Sequence, residues 1–204
     1  MQNNAELYYK KTRTKDTLSY PKIIREKLIL GVFSDTHNSP GNLKKAAEEA
    51  KGFGAEIFIH LGDSYSDAKA LFEYSKQVFR VPGLWCKEYS DKKIPNRLIL
   101  DLNGFKLLLT HSDRTAEQDL PSDKDPQKLL AEEKIDILLY GHSHIYESLI
   151  RGDVLHLNPG ALKEHDKRAA EPSYGLLTIE GNKANGRVMS LEGRILAETT
   201  LLKL

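Results

Sequence analysis

Cysteine occurs once in these 204 residues, as Cys86, so no disulfide can form within the chain. A reducing compartment is therefore expected. Long apolar runs are missing too: no stretch approaches the roughly 20 residues a helix needs to cross a bilayer. The opening segment, MQNNAELYYKKTRTKDTLSYPKIIREK, lacks the apolar centre of a secretory signal, and a cytoplasmic protein is expected. Charge of one sign is not in excess. Lys and Arg number 30 against 29 Asp and Glu, a formal net charge of +1, so no overall field draws nucleic acid or an anionic membrane to the surface. No basic cluster marks a nucleic-acid track. Internal repeats and low-complexity segments are absent as well.

What is present fits one soluble domain: apolar residues make up 40% and charged residues 29%, at a length that supports a full hydrophobic core. Residues 1–26 read as a polar N-terminal arm and 27–204 as the domain. Tyr8, Tyr9 and Tyr20 give the arm a means of anchoring on the domain or on a second subunit, and a homo-oligomer is expected.

Short apolar runs alternate with helical stretches through the first half of the domain. KLILGVF is a predicted strand, LKKAAEEAKGFG a helix stopped by glycine, EIFIH a strand, AKALFEYSK a helix and QVFRV a strand. RLILDLNGFKLLLTH carries Asn-Gly between two apolar runs, a hairpin signal. DPQKLLAEEK is a helix with proline near its start, DILLY and VLHLN are strands, and the tail alternates strands with Gly and Asn turns. Two sheets packed face to face with helices outside satisfy this pattern; so does one doubly wound sheet with an antiparallel tail.

The chemistry collects at the carboxyl ends of the apolar runs, where α/β sheets place their ligand sites. Asp35 and His37 follow GVFS, Asp63 follows IFIHLG, His111 follows KLLLT, and His142 and His144 follow ILLYG. Singly, each is an ordinary residue for a turn, a helix cap or a hydrogen-bonded loop. Together they are two carboxylates and four imidazoles at one sheet edge, a donor set that suits divalent transition metals. Six donors exceed the need of one tetrahedral ion, and a carboxylate shared between two ions accounts for the surplus. His60, inside a strand, and His156, in mid-strand, read as structural; His165, in LKEHDKR, reads as surface.

SDTHN, LGD, THSD, YGHSH and NPGAL resemble the ordered motifs of the calcineurin-like metallophosphoesterases, above all their small bacterial and archaeal phosphodiesterases. The resemblance runs from about Lys27 to Leu204. It implies an α/β (α+β) fold, a four-layer αββα sandwich of two mixed sheets flanked by helices, with two divalent ions drawn from manganese, iron, zinc or nickel. It implies that Asp35, His37 and His144 hold one ion, that His111 and His142 hold the other, and that Asp63 bridges them. The implied activity is hydrolysis of a small phosphodiester by a metal-bound hydroxide. Asn38 is a candidate contact for the phosphate, Asn158-Pro159-Gly160 shapes the loop beside the metals, and the proton donor is unassigned.

Two departures bear on the second ion. Where the family carries asparagine after the third strand, this chain has Leu84, in VPGLWCKEYSD; where a second histidine is expected after His111, it has Asp113. If Gly83–Tyr89 is extended, Leu84, Cys86 and Glu88 share a side, since side chains alternate along a strand, and Cys86 or Glu88 becomes a substitute donor. Leu84 also raises the alternative of a weakened scaffold that acts as a protein-interaction module, as in the retromer subunit with this fold.

Overall fold

The computed structural model of the protein describes residues 22–169 and 171–203, together with the backbone at 13–14 and 17–18. Arg13–Thr14 (β1) and Thr17–Leu18 (β2) pair as a short antiparallel ladder. Ile23 lies along residues 101–103, donating its N–H to the Asp101 carbonyl at 3.1 Å and accepting from the Asn103 N–H at 2.8 Å. The end of the predicted arm is thus laid on the domain. Tyr8, Tyr9 and Tyr20, on which the anchoring expectation rests, fall outside the described residues.

The domain elements are Lys27–Phe33 (β3), Pro40–Gly52 (α1), Ile57–His60 (β4), Gln77–Arg80 (β5), Arg97–Leu102 (β6), Phe105–Thr110 (β7), Pro126–Glu132 (α2), Ile137–Leu139 (β8), Glu147–Arg151 (β9), Val154–Asn158 (β10), Ser173–Glu180 (β11), Lys183–Ser190 (β12) and Ile195–Leu202 (β13). They form two mixed sheets, a six-stranded one ordered β13-β12-β11-β3-β4-β5 and a five-stranded one ordered β6-β7-β8-β10-β9. Strands β3, β4 and β5 run parallel, as do β7, β8 and β10.

Burial decides between the two architectures that the pattern of elements left open. The largest apolar cluster has 21 buried residues, among them Leu30, Val32, Ile57 and Ile59 from one sheet and Leu107, Leu109, Ile137 and Leu157 from the other. That core can only lie between two facing sheets, and at about 1.5–3 kcal/mol for each fully buried large apolar side chain it is the main force holding them together. A second cluster packs Leu43, Ala46, Ala47 and Ala50 of α1 against Phe33 and Phe58. A third joins Leu129 of α2 to Leu108 and Leu138. Since alternate side chains of one strand point to opposite faces, each sheet carries its helix on the outside, which makes four layers, αββα.

Local chemistry sets the element ends. Pro126 begins α2 with a ring that needs no N–H partner, and the Asp125 carboxylate caps it by accepting the Gln127 N–H. The β6–β7 hairpin turns on Asn103 and Gly104, at φ 53° and 81°, the left-handed pair that a two-residue turn requires. AKALFEYSK forms a 3-10 helix over Asp67–Glu73 rather than an α-helix. Its two buried apolar residues, Ala68 and Leu71, are three apart, the spacing that a three-residue turn places on one side. Strand β9 has no counterpart in the sequence reading, because ESLIR at a half-exposed sheet edge shows no apolar alternation.

Candidate metal centre

Strands β3 and β4 of one sheet and β7 and β8 of the other all deliver their carboxyl ends to the same rim. Asp35, His37, Asp63, His142 and His144 there have positive φ, between 44° and 77°, and so does Asn38. Non-glycine residues seldom adopt this region, and each costs on the order of 1–3 kcal/mol. Such a run of strained turns persists only where surrounding structure enforces it. Part of that enforcement is close backbone packing. A Cβ on Gly141 would stand 1.9 Å from Ser34 Oγ and 2.7 Å from Asp35 Oδ2, and one on Gly83 would stand 2.5 Å from the Asp63 backbone.

Asp35, His37 and His144 form the tightest group, with one ligand atom from each lying within 4.8 Å of the others. Asp35 Oδ1 is 3.2 Å from His144 Nε2 and 3.9 Å from His37 Nε2, and the two imidazole Nε2 atoms are 2.9 Å apart. The other Asp35 oxygen, Oδ2, accepts from Ser34 Oγ at 2.6 Å and from the His142 N–H at 2.8 Å. Burial pushes the Asp35 carboxyl up, but the adjacent His144 and His111 imidazoles and the Ser34 hydroxyl outweigh it and hold the group well below the ordinary range. Asp35 is therefore an anion kept in a buried place, where its charge needs compensating partners and a cation beside it would be favoured. Burial lowers His37, with Asp63 acting against it. Burial also pushes His144 down, but Asp35 and Asp166 more than reverse that and raise it.

His111 and His142 stand side by side, ring centroids 5.1 Å apart. The buried His111 has its Nδ1 2.7 Å from the Leu61 carbonyl. A carbonyl only accepts, so Nδ1 carries the proton and Nε2 keeps a free lone pair, the usual arrangement of a metal-binding histidine. Burial and the neighbouring His111 lower His142. Asp63 sits beside the first group: its Oδ2 is 3.0 Å from His37 Nδ1 and accepts the His37 backbone N–H at 3.2 Å. The chemistry of these donors fits divalent cations, neutral imidazole nitrogens and carboxylate oxygens being the set that such ions take.

The remaining expectations separate cleanly. Fully buried His60 accepts the Gly62 N–H at Nδ1, 3.3 Å, which leaves its Nε2 to donate to Thr36 Oγ1 at 3.0 Å; burial lowers it to about 4. It ties together the two turns that carry Asp35 and Asp63. His156 is buried within β10, and His165 is exposed. Asn38 is exposed next to His37. Asn158 shapes the histidine loop as expected: its Nδ2 donates to the Gly141 carbonyl at 3.1 Å and to Ser143 Oγ at 3.0 Å.

The extended run that would align Leu84, Cys86 and Glu88 is absent. The chain turns at Leu84–Trp85 and enters a 3-10 helix over Lys87–Ser90, so the alternation on which a substitute donor depended does not operate. Leu84 is buried. Burial raises the Cys86 thiol, with the Tyr89 and Tyr65 backbones as its hydrogen-bond partners. Among the described residues, neither Cys86 nor Glu88 joins a group of three converging ligand atoms. The segment is instead pinned to the 112–126 loop: Tyr89 Oη donates to Asp119 Oδ1 at 2.5 Å, and Asn96 Nδ2 donates to Asp123 Oδ2 at 2.7 Å.

One contact was not visible in the sequence. Asp166 Oδ2 meets His144 Nδ1, and the Arg168 guanidinium lies over the same ring, its Nη2 2.9 Å from Nδ1 and 2.8 Å from Nε2. Burial raises the Asp166 carboxyl, but the Arg168 backbone N–H and His144 overcome it and lower the group to about 2. The only hint was the neighbouring His165 in LKEHDKR, which turns outward.

Residues 28–182 match the calcineurin-like phosphoesterase superfamily domain. The chain is 30% identical over 168 residues to the probable metallophosphoesterase YsnB of Bacillus subtilis, covering 79% of this chain and 90% of that protein. The solved structure of YfcE, a phosphoesterase from E. coli, superposes with a TM-score of 0.59 at 26% identity, covering 84% of this chain and 98% of that one. The structure of Vacuolar Protein Sorting 29 from Cryptosporidium parvum shares the fold, with a TM-score of 0.65 at 22% identity over 88% of this chain and 100% of that one. Fold, converging donors and sequence likeness agree on a metal-dependent hydrolase, and the chain belongs to the calcineurin-like phosphoesterase superfamily.

Proposed function

We propose that this chain hydrolyses small phosphodiesters with two divalent ions, one held by Asp35, His37 and His144, the other by His111 and His142, with Asp63 shared between them. The observation that carries the reading is the convergence of Asp35, His37 and His144, ligand atoms within 4.8 Å, around an anionic carboxylate. The relatives' names, phosphodiesterase and metallophosphoesterase, supply the substrate class. Divalent ions bound there would neutralise phosphoryl oxygens and lower the pKa of a coordinated water.

The protein's own residues do the positioning. Ser34 and the His142 N–H fix one Asp35 oxygen and leave the other facing the histidines. The Leu61 carbonyl sets the His111 tautomer. Asp63 orients His37 through both its ring and its backbone. Exposed Asn38, on the turn beside His37, would donate an amide hydrogen to a phosphate oxygen.

The test is elemental analysis of purified protein together with a manganese-dependent assay on a chromogenic phosphodiester and the matching monoester. Asp63→Asn is expected to reduce both metal content and turnover; wild-type values for both would remove Asp63 from its bridging place. A second reading, a non-hydrolytic interaction module, is favoured by buried Leu84 where the family has asparagine; metal-replete protein with no turnover on either substrate would support it. Self-association through the N-terminal arm is a separate proposal. Light scattering should show a larger species for the full chain than for one starting at Pro21, and equal monomer masses would end it.

A further inference from the structure

Between β10 and β11 the chain returns to the metal centre from outside the strand ends, and it brings a carboxylate with it. The Asp166 side chain is only 4% exposed and that of His144 only 2%. Asp166 Oδ2 meets His144 Nδ1, while Asp166 Oδ1 accepts the Arg168 backbone N–H at 2.8 Å. Both carboxylate oxygens are thus engaged, and the group cannot rotate away from the ring without giving up its bond to His144. Arg168 adds an ion pair, Nε to Oδ1 at 3.6 Å. Asp166 does not share the group formed by Asp35, His37 and His144. It touches that group only through the far nitrogen of His144.

We propose that Asp166 is a positioning residue: it holds His144 with the proton on Nδ1 and so presents Nε2 to a divalent cation shared with Asp35 and His37. The inference rests on the reading of that group as a metal site. An ionised carboxylate has no hydrogen to give, so the nitrogen it meets must be the donor. The other nitrogen, 3.2 Å from Asp35 Oδ1 and 2.9 Å from His37 Nε2, then faces the donors with which it would share the ion. A carboxylate behind the ring also increases the electron density that Nε2 offers to a metal. His111 reaches the same tautomer with a backbone carbonyl, so the two halves of the centre use different devices for one purpose.

The experiment follows His144 by long-range ¹⁵N–¹H NMR of histidine-labelled full-length protein, first without metal and then through a zinc titration. Wild type is expected to show a proton on Nδ1, and its Nε2 signal should move on zinc addition. Asp166→Ala should lose the preference for that tautomer and weaken zinc binding at Nε2 by about 10- to 100-fold. Asp166→Asn keeps a neutral acceptor; it should retain the tautomer and fall between the other two in affinity, which also covers the case in which the alanine variant does not fold. Zinc affinity equal to wild type in the variants, with the tautomer unchanged, overturns the proposal while leaving the metal site intact. An Nε2 signal in wild type that ignores zinc although the Nδ1 proton is present overturns the metal reading itself, and the proposal with it.

Discussion

Asp35, His37 and His144 are drawn from both sheets, and each has its second polar atom tied down: Asp35 by Ser34, His37 by Asp63, His144 by Asp166. His111 and His142, 5.1 Å apart between ring centroids, are also well placed, and the Leu61 carbonyl fixes His111. Beyond Asp63, proposed above as shared, the two sides differ in one donor. On the first side it is a buried anion; on the second, the turn that approaches the centre carries Leu84. Gly83 packs so tightly on the Asp63 backbone that the next residue is delivered to this neighbourhood whatever its side chain is. An aliphatic group there fills space and contributes no charge. On the proposed two-ion reading, the first side is expected to bind a cation firmly and the second to fill when metal is abundant.

The largest expected effect comes from removing the anion. Asp35→Asn keeps the shape but discards the charge, and turnover should fall about 10³-fold, corresponding to several kcal/mol of lost charge stabilisation, with loss of the tighter ion in elemental analysis. His142→Ala, on the other side, should spare that ion. Equal loss of metal from both variants would break the comparison between the halves.

His60 sharpens the contrast between histidines at the rim and a histidine within the fold. Burial takes it from 6.5 to about 4 in the folded protein. Between those values the unfolded chain binds a proton that the folded chain does not, so stability is fully present above pH 6.5 and falls as pH drops toward 4. The His60 contribution to that loss is about 3 kcal/mol. Urea unfolding across this window should show a shallower acid loss in His60→Asn than in wild type. An identical slope would mean that His60 takes up its proton without unfolding.

Leu84→Asn tests the weak side directly. A carbonyl oxygen at this place should tighten the second ion by about tenfold, or 1.4 kcal/mol, read as the second phase of a manganese titration; an unchanged titration would show that the turn does not bring residue 84 to the ion. The smallest effect is expected from Tyr89→Phe. It removes the 2.5 Å bond to Asp119 and should cost about 1 kcal/mol in unfolding. Asp119 keeps Arg97, 2.7 Å away, so the metal titration should not change. A shift in the second ion alone would show that the pinned loop sets its geometry.

Much of this protein was readable from its residues in order. Short apolar runs that end in Asp or His identify both the strands and the rim where those side chains gather, because a strand fixes the direction in which the next residues leave it. Asn103-Gly104 specified its hairpin through the positive φ both residues accept. Three matters were settled only by tertiary structure. Whether the strands form one sheet or two depended on which faces bury each other, and the pattern of a single strand does not record its partner across the core. The path of Gly83–Tyr89 was set by packing on Asp63 and by the Tyr89–Asp119 bond, both remote in sequence. Asp166 reaches His144 from 22 residues away, carried there by the β10–β11 connection. No local spacing encodes that contact, because hydrogen bonds between loops depend on where the sheets place the loops.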